Sequence, residues 1–369
     1  MKRNKIAVIS MIMAAALAAC TKDKAPSVQE PVFDDADRNA IGEINELAFD
    51  LCDDMLSRGH DASFVFSPAS LAMALGMEAN ANNIQVVLDM LGQESLSQTN
   101  ALLGKIIDKY NFKSEGITKS VANAVFSNSA VSETPENAEV AWREYFSSDI
   151  FLCDFTKSKE VSDKIVSWIA DNTDGMLAPE SVSVEPAYKR ILVNAAFFNG
   201  KWASAFDPEN THEAVFVRKD GTKADVRMMQ QEHNRLYFES DGCKAVVLPY
   251  GDGSYEMTVV LAGNDGLDDD MWKRISAGMN LRCVTLSMPK FSAKYDGSYI
   301  CEDDLKDVDI RHIANIEVDE SGTRAAASTV VGDVMVKYPE AEFTADRPFY
   351  YLITDRDTGL ILFMGYYNG

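Results

Sequence analysis

The sequence predicts an α+β fold, in which helical segments come early in the chain and strand segments come late. Apolar residues at spacings of three and four predict helices in the first part, beginning with Ile41, Ile44 and Leu47. From about Lys189 onward, short apolar runs alternate with turn residues, which is typical of antiparallel strands. Because helices and strands are segregated along the chain, an α+β arrangement is favoured over a repeated βαβ order.

Residues 1–19 have the pattern of an export signal. Three of residues 2–5 are basic, residues 6–16 form an apolar stretch that is too short to span a bilayer, and Leu17-Ala18-Ala19 then lead into Cys20. The segment resembles a bacterial lipoprotein signal, and this resemblance implies that cleavage leaves Cys20 as a lipid-carrying N-terminus. The alternative is an ordinary secretory signal in which Cys20 has no special role. The lipoprotein interpretation places the protein on the bacterial cell envelope, at the outer membrane or the cell surface.

Residues 20–38 are predicted to be a flexible tether, and residues 39–369 to be one folded domain. The tether is polar, contains Pro26 and Pro31, and shows no apolar periodicity. The first helix of the domain is predicted around residues 41–55, where apolar side chains recur at helical spacing.

Local signals predict further elements within the domain. Ser67 and Pro68 predict the start of a second helix, because serine caps helices and proline is tolerated in the first turn. The Gly-Asp-Gly turn at residues 251–253 predicts a hairpin. A second hairpin is predicted near the end of the chain, where residues 355–359 join two apolar runs.

The formal net charge of −22 argues against nucleic-acid binding, which requires clustered cations. Lys105, Lys109, Lys113 and Lys119 are interleaved with acidic residues and are interpreted as a solvated helix face rather than an anion site. No second long apolar run is present, so no transmembrane helix is predicted.

The cysteines and histidines fall in no catalytic or metal-binding pattern. Five of the six cysteines remain if Cys20 carries lipid, and no CxxC pair occurs, so these residues are interpreted mostly as buried thiols. The four histidines fall in no HExxH motif, and the chain has no GxSxG, Walker or GxGxxG motif. An enzyme is therefore disfavoured, and no cofactor or metal is expected.

Residues 319–329, with the sequence DESGTRAAAST, resemble the hinge of an inhibitory serpin. Further segments match the same family in order over about residues 40–367: residues 66–71, 168–177, 192–202, 286–291, 343–349 and 363–365. The resemblance implies the serpin fold, with helices packed on three β-sheets and an exposed reactive-centre loop. It also implies a protease inhibitor rather than an enzyme.

The residue types of the hinge suit burial within a sheet. The hinge residues are Glu320, Gly322, Thr323, Ala325, Ala326, Ala327 and Thr329. In a strand, alternate side chains point to one face. The set that includes Thr323 is entirely small or β-branched: Thr323, Ala325, Ala327, Thr329 and Val331. Such residues can be buried between two existing strands without a clash, whereas a long charged side chain there would block insertion. Arg324 falls on the other face, where the family more often has a carboxylate.

The resemblance also implies a gate in the central sheet. Ser67, Ser70, Asn194 and His312 match a hydrogen-bonded cluster beneath the central strands of the family. Trp202 matches the tryptophan at the point where the loop first enters the sheet.

The implied mechanism is suicide inhibition. A target protease attacks the loop as a substrate and forms an acyl-enzyme, and the loop then inserts into the central sheet and traps the protease in a covalent 1:1 complex with a monomeric inhibitor. Lys337-Tyr338 is the favoured scissile bond and Val336-Lys337 the alternative. Lysine before the cut suits trypsin-like serine endopeptidases, whereas an apolar residue suits elastase-like ones. Papain-like targets are also open, and the alternative function is a non-inhibitory serpin-fold binding protein on the envelope.

Overall fold

The computed structural model describes residues 30–59, 62–82, 84–111, 114–131, 134–173, 175–177, 179–263, 266–299, 307–323 and 339–369. These residues contain seven α-helices: α1 (Asp35–Ser57), α2 (Pro68–Ala81), α3 (Ile84–Met90), α4 (Leu96–Asn111), α5 (Glu136–Glu144), α6 (Ser158–Asn172) and α7 (Asp269–Gly278).

Helix α1 begins at Asp35, ahead of the domain boundary expected at residue 39. The side chain of Asp34 accepts a hydrogen bond from the backbone N–H of Asp37, and the Asp37 side chain accepts one from the backbone N–H of Asp34, so a capping box fixes this start. Helix α2 begins as predicted, because the Ser67 side chain accepts from the backbone N–H of Ser70 and Pro68 occupies the first turn.

The described strands are β1 (Phe64–Phe66), β2 (Ile117–Asn128), β3 (Asp149–Cys153), β4 (Arg190–Lys201), β5 (His212–Val217), β6 (Lys223–Ser240), β7 (Cys243–Tyr250), β8 (Tyr255–Leu261), β9 (Asn280–Pro289), β10 (Phe291–Tyr299), β11 (Val308–Asp319), β12 (Gly322–Thr323), β13 (Ala341–Thr344), β14 (Phe349–Asp355) and β15 (Ile361–Tyr367). Both predicted hairpins form, between β7 and β8 and between β14 and β15. The α+β class is confirmed, although β1 to β3 lie among the early helices.

Hydrogen bonding joins the described strands into two sheets. One has six strands in the order β10-β11-β12-β4-β2-β3, and the other has nine, in the order β1-β15-β14-β8-β7-β6-β9-β13 with β5 beside β6. The sequence analysis expected three sheets. The difference arises because the 18-residue strand β6 pairs with β5 over residues 223–228, with β9 over residues 228–237 and with β7 over residues 237–240, so that one strand links two regions.

Strand β4 separates two hydrophobic clusters. Its residues Leu192, Ala196 and Phe198 contribute to the main core, which also contains α2. Its residues Ile191, Val193 and Ala195 contribute to a second cluster with side chains of α6. Because neighbouring strand residues face opposite sides, even-numbered β4 positions face the main core and odd-numbered ones face α6.

The interpretation of the lysines as a solvated helix face is wrong for two of them. Lys109 is buried and pairs with Glu30 and, at 3.7 Å, with Asp355. Lys119 lies on β2 and donates to the carbonyl oxygens of Lys109 and Tyr110 at 3.0 and 2.8 Å. Burial lowers the pKa of Lys119 to about 8. Tertiary packing places these side chains against acceptors that the local pattern does not reveal.

Cys52, Cys153, Cys243 and Cys283 are buried thiols, as predicted, and Cys20 and Cys301 lie outside the described residues. Among the helices of the described residues, none has the length and apolar character that a membrane span requires.

Candidate functional site

The six-stranded sheet is open at its centre. Residues 190–195 of β4 pair in parallel with residues 308–313 of β11. In the described part of the chain, no ladder joins residues 196–199 of β4 to residues 314–317 of β11. We call the space between these two segments the central gap. It provides backbone donors and acceptors on both sides for one additional strand.

The two-residue strand β12 closes one end of the central gap. This end lies at the C-terminal end of β4, and we call it the upper end. Gly322 pairs with Lys201 of β4 and Asp319 of β11, and Thr323 pairs with Gly200 and Val318. Gly322 and Thr323 of the predicted hinge are therefore already part of the sheet.

Both residues of β12 are fixed by their surroundings. Gly322 has a φ of +151°, and a Cβ atom there would lie 2.1 Å from the carbonyl oxygen of Gly200, so the position requires glycine. Thr323 is buried, and its hydroxyl lies 2.6 Å from that of Tyr250. Burial raises the pKa of Tyr250, so its phenol remains protonated and able to share this hydrogen bond.

Trp202 lies beside the entry point of β12. Its indole Nε1–H donates to the carbonyl oxygen of Asp319 at 2.9 Å, and its backbone N–H donates to that of Ser321 at 3.0 Å. Its ring stacks on Tyr250 with centroids 4.5 Å apart. The structure thus places Trp202 at the hinge and away from the other four predicted gate residues.

Glu320 anchors the chain immediately before β12. Its carboxylate pairs with Lys290 at 2.7 Å and accepts from the Thr211 hydroxyl at 2.9 Å, and its carbonyl oxygen accepts from the Phe206 backbone N–H at 2.8 Å. Burial tends to raise the pKa of this carboxyl, but the Lys290 contact and the other hydrogen bonds outweigh it and leave the pKa below its ordinary value. The sequence analysis gave Lys290 no role.

The other four predicted gate residues form what we call the central cluster: Ser67, Ser70, Asn194 and His312. The Ser67 backbone N–H donates to His312 Nε2 at 3.0 Å, and the Ser70 hydroxyl donates to Asn194 Oδ1. Asn194 and His312 are direct partners across the β4–β11 ladder, just below the central gap. Burial lowers the pKa of His312 to about 4, so the ring is neutral at pH 7 and its Nε2 can accept this bond.

Sequence reasoning missed a fifth member of this network. Asn123 on β2 accepts from Asn194 Nδ2 at 2.6 Å and donates to the Phe146 carbonyl oxygen at 2.8 Å. The signal that would have found it is a polar residue inside the apolar run of residues 121–125, since a buried polar side chain needs hydrogen-bond partners.

It also missed a buried ion pair at the lower end of β4. The Nη1 of Arg190 lies 2.9 and 3.1 Å from the two carboxylate oxygens of Glu78 on α2. The two side chains are only 1% and 0% exposed. Arg190 is the first residue of β4 and lies opposite Val308 of β11.

The remaining predicted site residues lie outside the described residues: Ala325, Ala326, Ala327, Thr329, Val336, Lys337, Tyr338 and Cys20. The described chain resumes with residues 339–340 and continues into β13, which pairs in parallel with β9 of the nine-stranded sheet. The segment between β12 and β13 therefore connects the two sheets.

Comparisons with known proteins agree with this architecture. The family model described as Serpin (serine protease inhibitor) matches residues 42–313 and 291–368. An uncharacterized serpin-like protein of Methanosarcina mazei is 27% identical over 87% of this chain and 85% of its own length. A probable non-inhibitory serpin-Z5 of Arabidopsis thaliana is 26% identical over 88% of this chain and 83% of its own. The crystal structure of a thermophilic serpin, tengpin, in the native state has a TM-score of 0.79 at 24% identity, covering 93% of this chain and 96% of that one.

Proposed function

The chain belongs to the serpin family, and we propose that it is a single-use protease inhibitor whose loop inserts between β4 and β11 after cleavage. The observation that carries this proposal is the central gap, with β12 already paired at its upper end. The same ladders that hold Gly322 and Thr323 can be continued downward by the residues that follow them.

The register of that continuation follows from β12. In an antiparallel ladder, each step forward along the loop is one step back along β4. Because Thr323 lies opposite Gly200, Ala325 would lie opposite Phe198, and Thr329 opposite Asn194. The β11 ladder, where Thr323 lies opposite Val318, independently brings Thr329 to His312. Asn194 and His312 face each other now, so both ladders direct Thr329 to the same place.

The side chains on the inward face suit that path. Phe198 and Ala196 belong to the main core, so the loop residues opposite them must be buried there. Ala325 and Ala327 fill those positions and need little space. Arg324 would face outward with Asn199, which is half-buried. This alternation supports an inhibitory hinge over a surface linker.

Insertion would supply the free energy for trapping. Each additional backbone hydrogen bond contributes a net of about 0.5–1.5 kcal/mol. A strand of about ten residues therefore contributes on the order of 10 kcal/mol, which is comparable to the stability of a whole domain. The uninserted state would then be kinetically trapped, and a cut in the loop would release it.

The central cluster is the proposed gate. To admit a strand, β4 and β11 must separate at Asn194 and His312. Ser70 hydrogen-bonds Asn194 of β4, and Ser67 hydrogen-bonds His312 of β11, so each strand is held to the start of α2. The Thr329 hydroxyl can both donate and accept, so it can form new hydrogen bonds with the two separated strands. The gate is structural, and His312 acts there as a hydrogen-bond acceptor rather than a catalytic base.

The target class rests on the loop sequence. Cleavage at Lys337-Tyr338 would indicate trypsin-like serine endopeptidases, and cleavage at Val336-Lys337 would indicate elastase-like or papain-like ones. We also propose that Cys20 carries lipid, which would display the inhibitor on a bacterial envelope.

The test is to incubate the soluble body, beginning near residue 30, with trypsin and with an elastase-like protease. An SDS-stable complex containing one copy of each protein, with release of a peptide that begins at Tyr338, is expected for trypsin. A peptide that begins at Lys337 would move the scissile bond to Val336. Loop cleavage without any complex for either enzyme would contradict inhibition of these classes and favour a non-inhibitory binding protein.

A further inference from the structure

We propose that Tyr250 and Gly200 form a receiving site that is specific for the hydroxyl group of Thr323. Tyr250 would thus act as a positioning residue that keeps the start of the hinge paired in the sheet before the loop is cut. The inference rests on the insertion proposed above. It goes further, because it requires a hydroxyl group at residue 323, where a small or β-branched side chain alone would not be enough.

The receiving site exists because Gly200 has no side chain. Gly200 lies directly opposite Thr323 in the ladder between β4 and β12, and side chains at directly opposite positions project to the same face. A Cβ atom on Gly200 would lie 2.8 Å from Cδ1 of Tyr250 and 2.7 Å from Cε1 of Phe198. Aromatic rings therefore occupy the space that a cross-strand side chain would fill beside Thr323.

Packing fixes the ring of Tyr250 in this position. The ring stacks on the indole of Trp202, with centroids 4.5 Å apart and an interplanar angle of 14°. It also meets the ring of Phe198 edge to face at a centroid distance of 4.9 Å. The backbones of Tyr250 and Trp202 form an antiparallel bridge. A ring that is held in this way keeps its hydroxyl group in one place, as a selective site requires.

The hydroxyl groups of Tyr250 and Thr323 depend on each other. Their oxygen atoms are 2.6 Å apart, and the two residues are only 0% and 1% exposed. Among the residues that the structure describes, each hydroxyl has the other as its hydrogen-bond partner. A buried hydroxyl that loses its partner is destabilising, whereas replacing both partners by apolar groups of the same shape can be nearly neutral. Valine at residue 323 would keep the shape of threonine but leave the Tyr250 phenol unsatisfied.

The contact would matter for trapping because insertion competes with hydrolysis of the acyl-enzyme. While Thr323 stays paired, insertion extends an existing strand and does not have to start a new one. If the contact is weakened, residues 322–323 must first pair again, and water has longer to cleave the acyl ester into a free loop carboxylate and the free hydroxyl of the protease serine. A weakened contact should therefore lower the fraction of cleaved inhibitor that ends in a complex.

The decisive experiment measures amide hydrogen exchange in the uncleaved full-length protein, in the peptide that contains residues 320–323. Thr323→Val should exchange at least about tenfold faster than the wild type, because the Tyr250 phenol is unsatisfied while valine is paired beside it. Thr323→Ser retains the hydroxyl group and should exchange within about threefold of the wild type. Exchange of Thr323→Val at the wild-type rate would overturn the proposal.

A double-mutant cycle assigns the effect to Tyr250. Tyr250→Phe alone should also speed exchange, because it leaves the Thr323 hydroxyl without its partner. Combined with Thr323→Val, it should speed exchange by less than the product of the two single effects, and independent effects would overturn the proposal. Tyr351→Phe is the matched control, since this buried tyrosine donates to the Phe64 carbonyl oxygen at 3.0 Å. It should lower the melting temperature without changing exchange at residues 320–323.

A second readout separates this inference from the proposed function. On denaturing gels, Thr323→Val should form at least about threefold less complex per cleavage than the wild type, whereas Thr323→Ser should not. If the wild type forms no complex with either protease, inhibition fails, and the exchange cycle still decides whether Tyr250 holds Thr323. If Thr323→Val forms as much complex as the wild type, inhibition stands and the role of Tyr250 in insertion is overturned.

Discussion

At the residue scale, the imidazole of His312 makes the stability of the native protein depend on pH. Burial lowers its pKa from 6.5 to about 4. Between these pH values the imidazole is therefore protonated in the unfolded chain but neutral in the native protein. The stabilising effect is fully present above about pH 6.5 and is lost as the pH falls toward the folded pKa. With 1.36 kcal/mol per pKa unit, the effect is on the order of 3 kcal/mol.

We therefore expect the melting temperature of the uncleaved protein to decrease as the pH is lowered from 7 to 4. The decrease should be smaller in His312→Gln. Glutamine retains an acceptor for the Ser67 N–H but does not titrate. The measurement is thermal unfolding across this range. His212→Gln, which changes an exposed histidine, is the control and should follow the wild-type profile. Identical pH profiles for His312→Gln and the wild type would exclude this role of His312.

Gly322 is a second residue whose effect can be isolated. Alanine at this position combines an unfavourable φ of +151° with a clash against the Gly200 carbonyl group, so we expect a loss of native stability of about 1–3 kcal/mol. Detachment of β12 should also change the fluorescence of Trp202, which bonds to the chain just before it.

Gly221→Ala is the matched control, because Gly221 has a φ of +81° but no atom within 4 Å of the added Cβ. Denaturant unfolding of both variants separates backbone strain from the clash. Equal losses of unfolding free energy in the two variants would mean that the close packing of Gly322 against β4 does not contribute to the effect of the substitution.

At the element scale, insertion depends on which face of the loop carries a long side chain. The double variant Arg324→Ala with Ala325→Arg keeps the composition and moves the guanidinium group from the outward face to the position opposite Phe198. Burying it in the main core should convert the inhibitor into a substrate, with at least about a tenfold loss of complex formed per cleavage, since about 1.4 kcal/mol corresponds to a factor of ten.

The single variant Arg324→Ala is the control and should form complexes like the wild type. Densitometry of complex against cleaved inhibitor on denaturing gels measures the partition. Undiminished trapping by the double variant would contradict the assigned register.

The elements also show what sequence reasoning could foresee. The start of α2 and the two hairpins follow from local signals, because capping and turn preferences act over a few residues. The ion pair of Glu78 with Arg190 joins residues 112 apart, and only the packing of α2 beneath β4 brings them together. The expected number of sheets, three, differs from the two observed for a related reason. How far β6 extends its pairing depends on three partner strands.

The candidate site divides in the same way. Ser67, Ser70, Asn194 and His312 were foreseen through a family resemblance and do lie together. Asn123 was not foreseen, because its role depends on a neighbour across the sheet. A resemblance transfers what the family shares, whereas contacts particular to this chain require coordinates.

At the scale of the whole molecule, a series of contacts links Glu30 to the strands that hold the hinge. Glu30 contacts Lys109, whose carbonyl oxygen accepts from Lys119 on β2. Lys119 is two residues from Ile117, which pairs with Gly200, the partner of Thr323. A tether of residues 20–29 spans at most about 35 Å when fully extended. A lipid on Cys20 would therefore keep Glu30 within about 35 Å of the lipid anchor.

This arrangement predicts separate effects on location and activity. Cys20→Ala should move the protein from the membrane fraction to the soluble fraction, because no lipid can be attached. Since Cys20 precedes in sequence the residues that border the central gap, complexes with a soluble protease should form at the wild-type rate. Against a protease embedded in the same vesicles, the rate should fall, because the variant loses the high effective concentration that tethering provides. Membrane association that persists in Cys20→Ala would contradict the lipid anchor, whereas equal rates against the embedded protease would contradict the effect of tethering on complex formation.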